Sequence, residues 1–296
     1  MDIIIFCGSI LLFAMLLMEL LDWLCLVSSS RCSESSWINP FIYGENNGPR
    51  VWRLLYPESR GCEQSPINID GQCATVVAHS EPLRWQGYCD EPASMVIVND
   101  GNKVILLGVW RSSMRPCLSG GPLKGVYDFC SIEFRWGPAN DEGSEHSIDY
   151  MRYPMELQVV HTKRSTCTLP GVTTNDRDVV VILSYFFQLT SIDNPYLDHV
   201  VTNLWRISNP GCRFTVTAFP LEWLVPSFNT KFYTYSGSIT QPPCTENAIW
   251  ILNPCPIAIS AQQISQFRNV CSIEGPILSN SRPVQKLNDR QIFYYT

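Results

Sequence analysis

The sequence predicts a mainly β single domain, and three observations carry that reading. Short apolar runs recur over most of the chain: Ser94–Val98, Val104–Trp110, Met155–His161, Val179–Phe187, Phe214–Phe219 and Ala248–Leu252. Most are rich in β-branched or aromatic residues, and Gly, Pro, Asn and Asp bound them, as expected of strands closed by turns. Helical patterns are few. The best is Ser260–Val270, where Ser260 stands as an N-cap before Ile264 and Phe267 at helical spacing.

Size and composition agree with one large domain. The chain has 296 residues, of which 45% are hydrophobic, enough to bury a sizeable core. Charged residues make up only 16% and the formal net charge is −6. A mildly acidic chain without basic clusters is a poor match for phosphate backbones, so nucleic acid is not an expected partner.

The N-terminus opens on an uncharged apolar block, residues 3–18, followed by Glu19, Asp22, a second short apolar run from Trp23 to Val27, and the small residues Ser28, Ser29 and Ser30. This reads as a signal peptide over residues 1–30 cleaved near those serines. No Lys or Arg precedes the block, and the alternative is an uncleaved membrane anchor over residues 3–27. The uninterrupted stretch is a little short of the roughly 20 residues that a spanning helix needs. Residues 31–50 are polar, with Gly and Pro, and read as a lead-in to a domain over residues 51–296. Thirteen cysteines are many for a reducing compartment. Eleven lie beyond the signal segment, none in a C-x-x-C pair, so several disulfides are expected, with an odd thiol left over. There is no N-x-S/T sequon.

Seven segments then match one family in order. They are Gln64-Ser65-Pro66-Ile67-Asn68-Ile69, Gly120-Gly121-Pro122-Leu123, Ile132-Glu133-Phe134-Arg135-Trp136-Gly137 and Gly143-Ser144-Glu145-His146-Ser147-Ile148-Asp149, followed by Tyr153-Pro154-Met155-Glu156-Leu157-Gln158-Val159-Val160-His161, Tyr235-Ser236-Gly237-Ser238-Ile239-Thr240-Gln241-Pro242-Pro243 and Arg282-Pro283-Val284-Gln285-Lys286-Leu287-Asn288. They resemble the QSPI-N-I, GGPL, F-H-F-H-W-G, GSEHTVD, YP-x-ELHLVH, YPGSLTTPP and RPVQPLN stretches of the α-carbonic anhydrases. The resemblance covers roughly residues 60–290. It implies a large, twisted, mostly antiparallel central sheet with short peripheral helices. It also implies a conical site whose floor holds zinc on three histidines, two of them at i and i+2 of one strand. Such residues share a face. Three neutral imidazoles leave a fourth position open, where the metal lowers the pKa of its water to about 7.

At those three positions this chain carries Glu133, Arg135 and Gln158. Glu can bind zinc, and Gln is a weak neutral donor. Arg stays protonated and has only N–H donors. Two like unit charges at about 4 Å cost about 4 kcal/mol at an effective dielectric near 20, and a dication roughly doubles that. Of the four histidines, His146 and His161 match non-ligand positions of the family, while His79 and His199 lie outside the floor motifs. No zinc or other cofactor is therefore expected. The family's rim histidine, a proton shuttle, is matched by Asn102, whose amide does not titrate near pH 7.

Other positions are retained. Thr240 and Glu145 match the hydroxyl and carboxylate that orient the zinc-bound hydroxide. Glu156 and His161 match groups that support the site or pack behind it. Ile239 and Trp250 match the apolar wall that receives carbon dioxide. A buried Glu–Thr hydrogen bond and an apolar wall also serve the fold alone. The resemblance further implies a disulfide between Cys62 and Cys244, although Cys62 lies nearer Gln64 than is usual. Because a buried guanidinium needs carboxylate partners, Arg135 is expected to be neutralised by Glu133, Glu145 or both, with Gln158 completing a hydrogen-bonded plug.

The expected function is that of an acatalytic carbonic-anhydrase-related protein, secreted or extracellular. It would recognise an extracellular or cell-surface protein, with a membrane involved only if the N-terminal segment is retained. The alternative is a carbonate dehydratase or weak esterase using an atypical metal site. A small polar or anionic ligand in the cone is a third reading.

Overall fold

The computed structural model describes residues 41–44, 47–111, 115–164 and 178–296. The signal or anchor segment and most of the lead-in lie outside them. No helix among the described residues is long and apolar enough to cross a membrane.

The apolar runs become strands. In chain order these are β1 (Asn68–Ile69), β2 (Thr75–Val77), β3 (Leu83–Gln86), β4 (Ser94–Asn99), β5 (Val104–Val109), β6 (Cys117–Gly120), β7 (Tyr127–Trp136) and β8 (Ser147–Ile148). They continue as β9 (Met155–Lys163), β10 (Val180–Thr190), β11 (Arg213–Val216), β12 (Phe232–Gly237), β13 (Ala248–Ser260), β14 (Cys271–Ser272), β15 (Gly275–Pro276) and β16 (Phe293–Tyr295). Among the described residues, three short α-helices accompany them, α1 (Pro49–Leu55), α2 (Asp198–Val201) and α3 (Ala261–Phe267), with four short 3-10 turns.

Twelve strands form one sheet in the order β11-β4-β5-β7-β9-β10-β13-β12-β16-β2, with β6 joined to β7 and β3 to β6. Its pairings are antiparallel except β10 with β13 and β16 with β2. The expected mainly β fold with a large, mostly antiparallel sheet is therefore what forms. β10 reads as a continuous apolar run because it is buried on both faces from Val180 to Phe187, as a central strand should be.

Alternation along the central strands builds two cores. On one face Leu106, Ile132, Phe134, Leu157, Val159, Leu183, Tyr185 and Ile251 join the larger cluster. On the other, Ile182, Phe186, Trp250, Leu252 and Tyr235 join a smaller one. That second face also carries Glu133, Arg135, Glu156 and Gln158. Glu133 pairs with Gln158 across β7 and β9, and Arg135 with Glu156. Directly opposed residues point the same way, so four polar side chains share the face beside the smaller core.

The lead-in is built into this body where it is described. Phe41, Tyr43 and Trp52 meet edge to face, with ring centroids 5.3 to 6.2 Å apart. Cys244 is buried in the same cluster.

The expected Cys62–Cys244 bridge does not form, and both thiols are free. The residue that reaches Cys244 is Gln64, whose amide donates to the Cys244 carbonyl at 3.0 Å. Cys62 lies two residues earlier on the exposed side, where its carbonyl accepts from Asn288. Six other described cysteines are also free, namely Cys73, Cys89, Cys117, Cys130, Cys255 and Cys271, whereas Cys212 is disulfide-bonded.

Helix α3 begins where the sequence places its cap. The Ser260 hydroxyl accepts from the Gln263 amide N–H at 3.1 Å, and the Gln263 side chain accepts from the Ser260 N–H. Ser260→Ala breaks this reciprocal cap and is expected to lower stability by about 1 kcal/mol. A urea midpoint shift at unchanged slope is the measurement; an unshifted midpoint would mean that the cap contributes nothing.

Candidate functional site

Strand β7 brings Glu133 and Arg135 to one face two residues apart, and β9 brings Gln158 and Glu156 beside them. All four are packed away from bulk water: Arg135 is 2% exposed, Gln158 1% and Glu156 fully buried, while the Glu133 side chain is 14% exposed. The expected plug is the arrangement that forms. Arg135 Nη2 donates to Glu133 Oε2 at 2.8 Å, and its Nε lies 3.3 Å from Glu145 Oε2. Gln158 Nε2 donates to Glu145 Oε2 at 2.7 Å and to Glu156 Oε1 at 3.0 Å.

A second cation was missed from the sequence. Lys103 Nζ lies 2.7 Å from Glu133 Oε2 and also donates to the Gln241 carbonyl oxygen. Ile105 pairs with Glu133, so Lys103, two residues earlier, approaches from the same face. The available signal was a buried-strand run opening on a lysine immediately after Asn102. Gln241 in turn donates to the Tyr43 hydroxyl at 3.3 Å, which ties the lead-in to the floor.

The charges balance. Lys103 and Arg135 oppose Glu133 and Glu145 in one contiguous cluster. Burial pushes the Glu133 carboxyl up, but the Lys103 and Arg135 charges and their hydrogen bonds override it and hold it at about 2. Burial works against the charged Arg135 too, and Glu145 and Glu133 more than offset it, so the guanidinium stays protonated. Two guanidinium nitrogens, Nε and Nη1, are buried without a hydrogen-bond partner, and Nε keeps only its ion-pair contact with Glu145.

The retained positions have new partners. Glu145 accepts from Gln158 and, at 2.9 Å, from the Arg282 backbone N–H. Thr240 is buried, yet among the described residues no hydrogen bond joins it to Glu145. The expected Glu–Thr hydrogen bond is not among the contacts of Glu145, whose carboxylate meets Gln158, Arg135 and the Arg282 backbone N–H. Asn102 is buried and its amide donates to the Phe41 carbonyl at 2.9 Å, so this side chain is held by the lead-in. Trp250 is fully buried with its indole N–H on the Ser238 carbonyl at 2.9 Å, and Ile239 is half-buried.

Behind the floor, Glu156 accepts from the backbone N–H groups of Glu145 and His146, from the Ser184 hydroxyl and from Gln158. It also contacts His146 Nδ1 at 3.0 Å, and His146 Nε2 meets the Tyr235 hydroxyl at 2.7 Å. Burial raises the Glu156 carboxyl, and His146 and Gln158 pull it down to about 2. The other histidines stand apart. His161 is bonded to Tyr88, and burial depresses it to about 3. His199 stacks on Phe219, and His79 is exposed.

This donor set does not fit a zinc ion. The central position holds a protonated guanidinium with no lone pair to give. The carboxylate beside it already serves two cations. No group of three His, Cys, Asp or Glu side chains able to hold a metal occurs among the described residues.

The fold agrees with the wider comparisons. The sequence model of eukaryotic-type carbonic anhydrases matches residues 47–296. The chain belongs to that family. It is 35% identical over 256 residues to mouse carbonic anhydrase 1, covering 84% of this chain and 96% of the relative. It is 31% identical over 255 residues to human carbonic anhydrase 7, covering 84% and 95%.

Glu133 supplies the test of the charge network. Its folded pKa lies below the ordinary carboxylate value near 4.3. Its stabilisation is therefore fully present above that value and is lost as pH falls toward about 2. Glu133→Gln leaves Arg135 and Lys103 under-neutralised and is expected to destabilise by about 3–5 kcal/mol at pH 7. The difference between wild type and variant should shrink between pH 4.3 and 2, whereas acid loss through His161 and Glu156 is common to both. Parallel pH–stability curves in urea unfolding would contradict the network.

Proposed function

We propose that this member of the family binds no catalytic zinc, does not hydrate carbon dioxide, and works outside the cell by recognising another protein. The observation that carries the first half is Arg135, ion-paired to Glu133 and Glu145 at a position the family resemblance gives to a metal ligand. A dication there meets the guanidinium and, one residue further out, the Lys103 ammonium. At about 4 Å and an effective dielectric near 20, each such contact costs about 8 kcal/mol before any carboxylate offsets it. The cluster is neutral without a metal, so nothing in it calls for one.

Asn102 adds to this reading. Its amide neither titrates near neutral pH nor points free, being bonded to the Phe41 carbonyl. The extracellular half rests on the apolar N-terminal block.

Metal analysis of the purified protein is expected to find well under one-tenth equivalent of zinc, and hydration of carbon dioxide at the uncatalysed rate. Stoichiometric zinc with sulfonamide-sensitive turnover would establish the enzyme reading instead. A variant carrying Glu133→His, Arg135→His, Gln158→His and Lys103→Ala is expected to take up one zinc. The same variant with Lys103 kept is expected to bind at least about tenfold more weakly, because the ammonium remains beside the metal.

A further inference from the structure

Where β10 ends, the chain turns through Ser191–Pro195 and leaves an open groove of 1080 Å³ against the C-terminal half of β13 and the turn at Leu221–Trp223. Its apolar walls are unusually wet. Ile192 is 76% exposed, Tyr196 51% and Trp223 41%. The Tyr196 and Trp223 rings stand 6.0 Å apart with planes inclined by 49°, forming an aromatic corner. His199 and Phe219 stack in sequence behind Trp223 and hold its indole in place.

The charge of this groove has one sign. Asp193 and Glu222 are the ionised side chains among its lining residues, and no Lys or Arg accompanies them. Neither carboxylate forms an ion pair with any described residue. Both are solvent-exposed. Glu222 accepts only the weak Cys89 thiol, at 3.0 Å. Aromatic faces attract cations through their quadrupole, most strongly for guanidinium over indole. Carboxylates at the rim add Coulombic attraction and steering, and the whole chain carries a net charge of −6. Ile192 and Pro226 leave room for an aliphatic side chain beside the charge.

We propose that this groove binds a basic segment of a partner protein, seating an arginine side chain against the exposed corner made by Trp223 and Tyr196 with its guanidinium toward Asp193 and Glu222. The inference rests on the recognition half of the function given above and names the partner's chemistry. It is separable from the zinc half, because groove variants leave Glu133, Arg135 and Gln158 untouched and zinc content is read independently.

The test uses the purified protein and the peptide acetyl-Ala-Arg-Leu-Arg-Ala-amide, with an analogue carrying citrulline for both arginines. Titration followed by Trp side-chain N–H shifts in NMR, with the Trp223 signal assigned by its substitution, is expected to move that signal saturably. The citrulline peptide should bind at least tenfold more weakly. Trp223→Ala, Tyr196→Ala, and Asp193→Asn with Glu222→Gln should each weaken binding at least fivefold, while Trp205→Ala, outside the groove, should not. Asp193 is exposed and free of side-chain partners, so its variant keeps the fold even if Trp223→Ala does not. Equal binding of the citrulline peptide, or no Trp223 shift at millimolar peptide, would overturn the proposal. So would a concentration-dependent dimer abolished by Tyr196→Ala, which would assign the groove to a second copy of the chain.

Discussion

Arg135 must be neutralised where it stands. A guanidinium 2% exposed on the face of a central strand cannot reach bulk water, and stripping it of its hydration costs several kcal/mol unless anions replace that hydration. Much of the floor follows from this requirement. Glu133 and Glu145 supply the anions, and Gln158 fixes the Glu145 carboxylate by donating to it. Lys103 completes the count, since Glu133 is shared between two cations.

The sheet makes this arrangement possible. The antiparallel register of β7 and β9 sets Glu133 opposite Gln158 and Arg135 opposite Glu156. Four polar groups thus fall into a compact block on one face, while the residues between them feed the larger core on the other. Glu156 links the block to the interior through His146, Tyr235 and Ser65, the last two joined at 2.9 Å. A fully satisfied buried chain of this kind holds the floor rigid.

Much of this could be read from the residues alone. The strands at Ser94, Val104, Met155, Val179 and Ala248 follow from alternation and β-branched content, and the Ser260 cap from its place before Ile264 and Phe267. Glu133 as a partner of Arg135 followed from charge and strand parity, which are local rules, whereas Glu145 came from its place in a matched family motif. What escaped was what depends on tertiary approach. Lys103 reads as an ordinary strand-edge lysine until β5 is paired to β7. Thr240 and Glu145 read as a hydrogen-bonded pair, and only their folded positions show that no such bond joins them among the described residues. Cys62 and Cys244 read as a bridge because sequence proximity to two motifs does not specify which of Cys62 and Gln64 comes to face the Cys244 carbonyl.

The balanced cluster also bears on how such a site can change over time. Each of its charged members is stabilised by the others, so replacing one alone strands a partner in a low-dielectric interior. A neutral histidine at position 135 alone would leave Glu133 and Glu145 with Lys103 as their remaining nearby cation. Replacing one charged member at a time therefore passes through a less stable intermediate, although a concerted set of replacements need not. Mutual neutralisation acts as a ratchet, holding the chain in its present chemistry by the instability of the intermediates between.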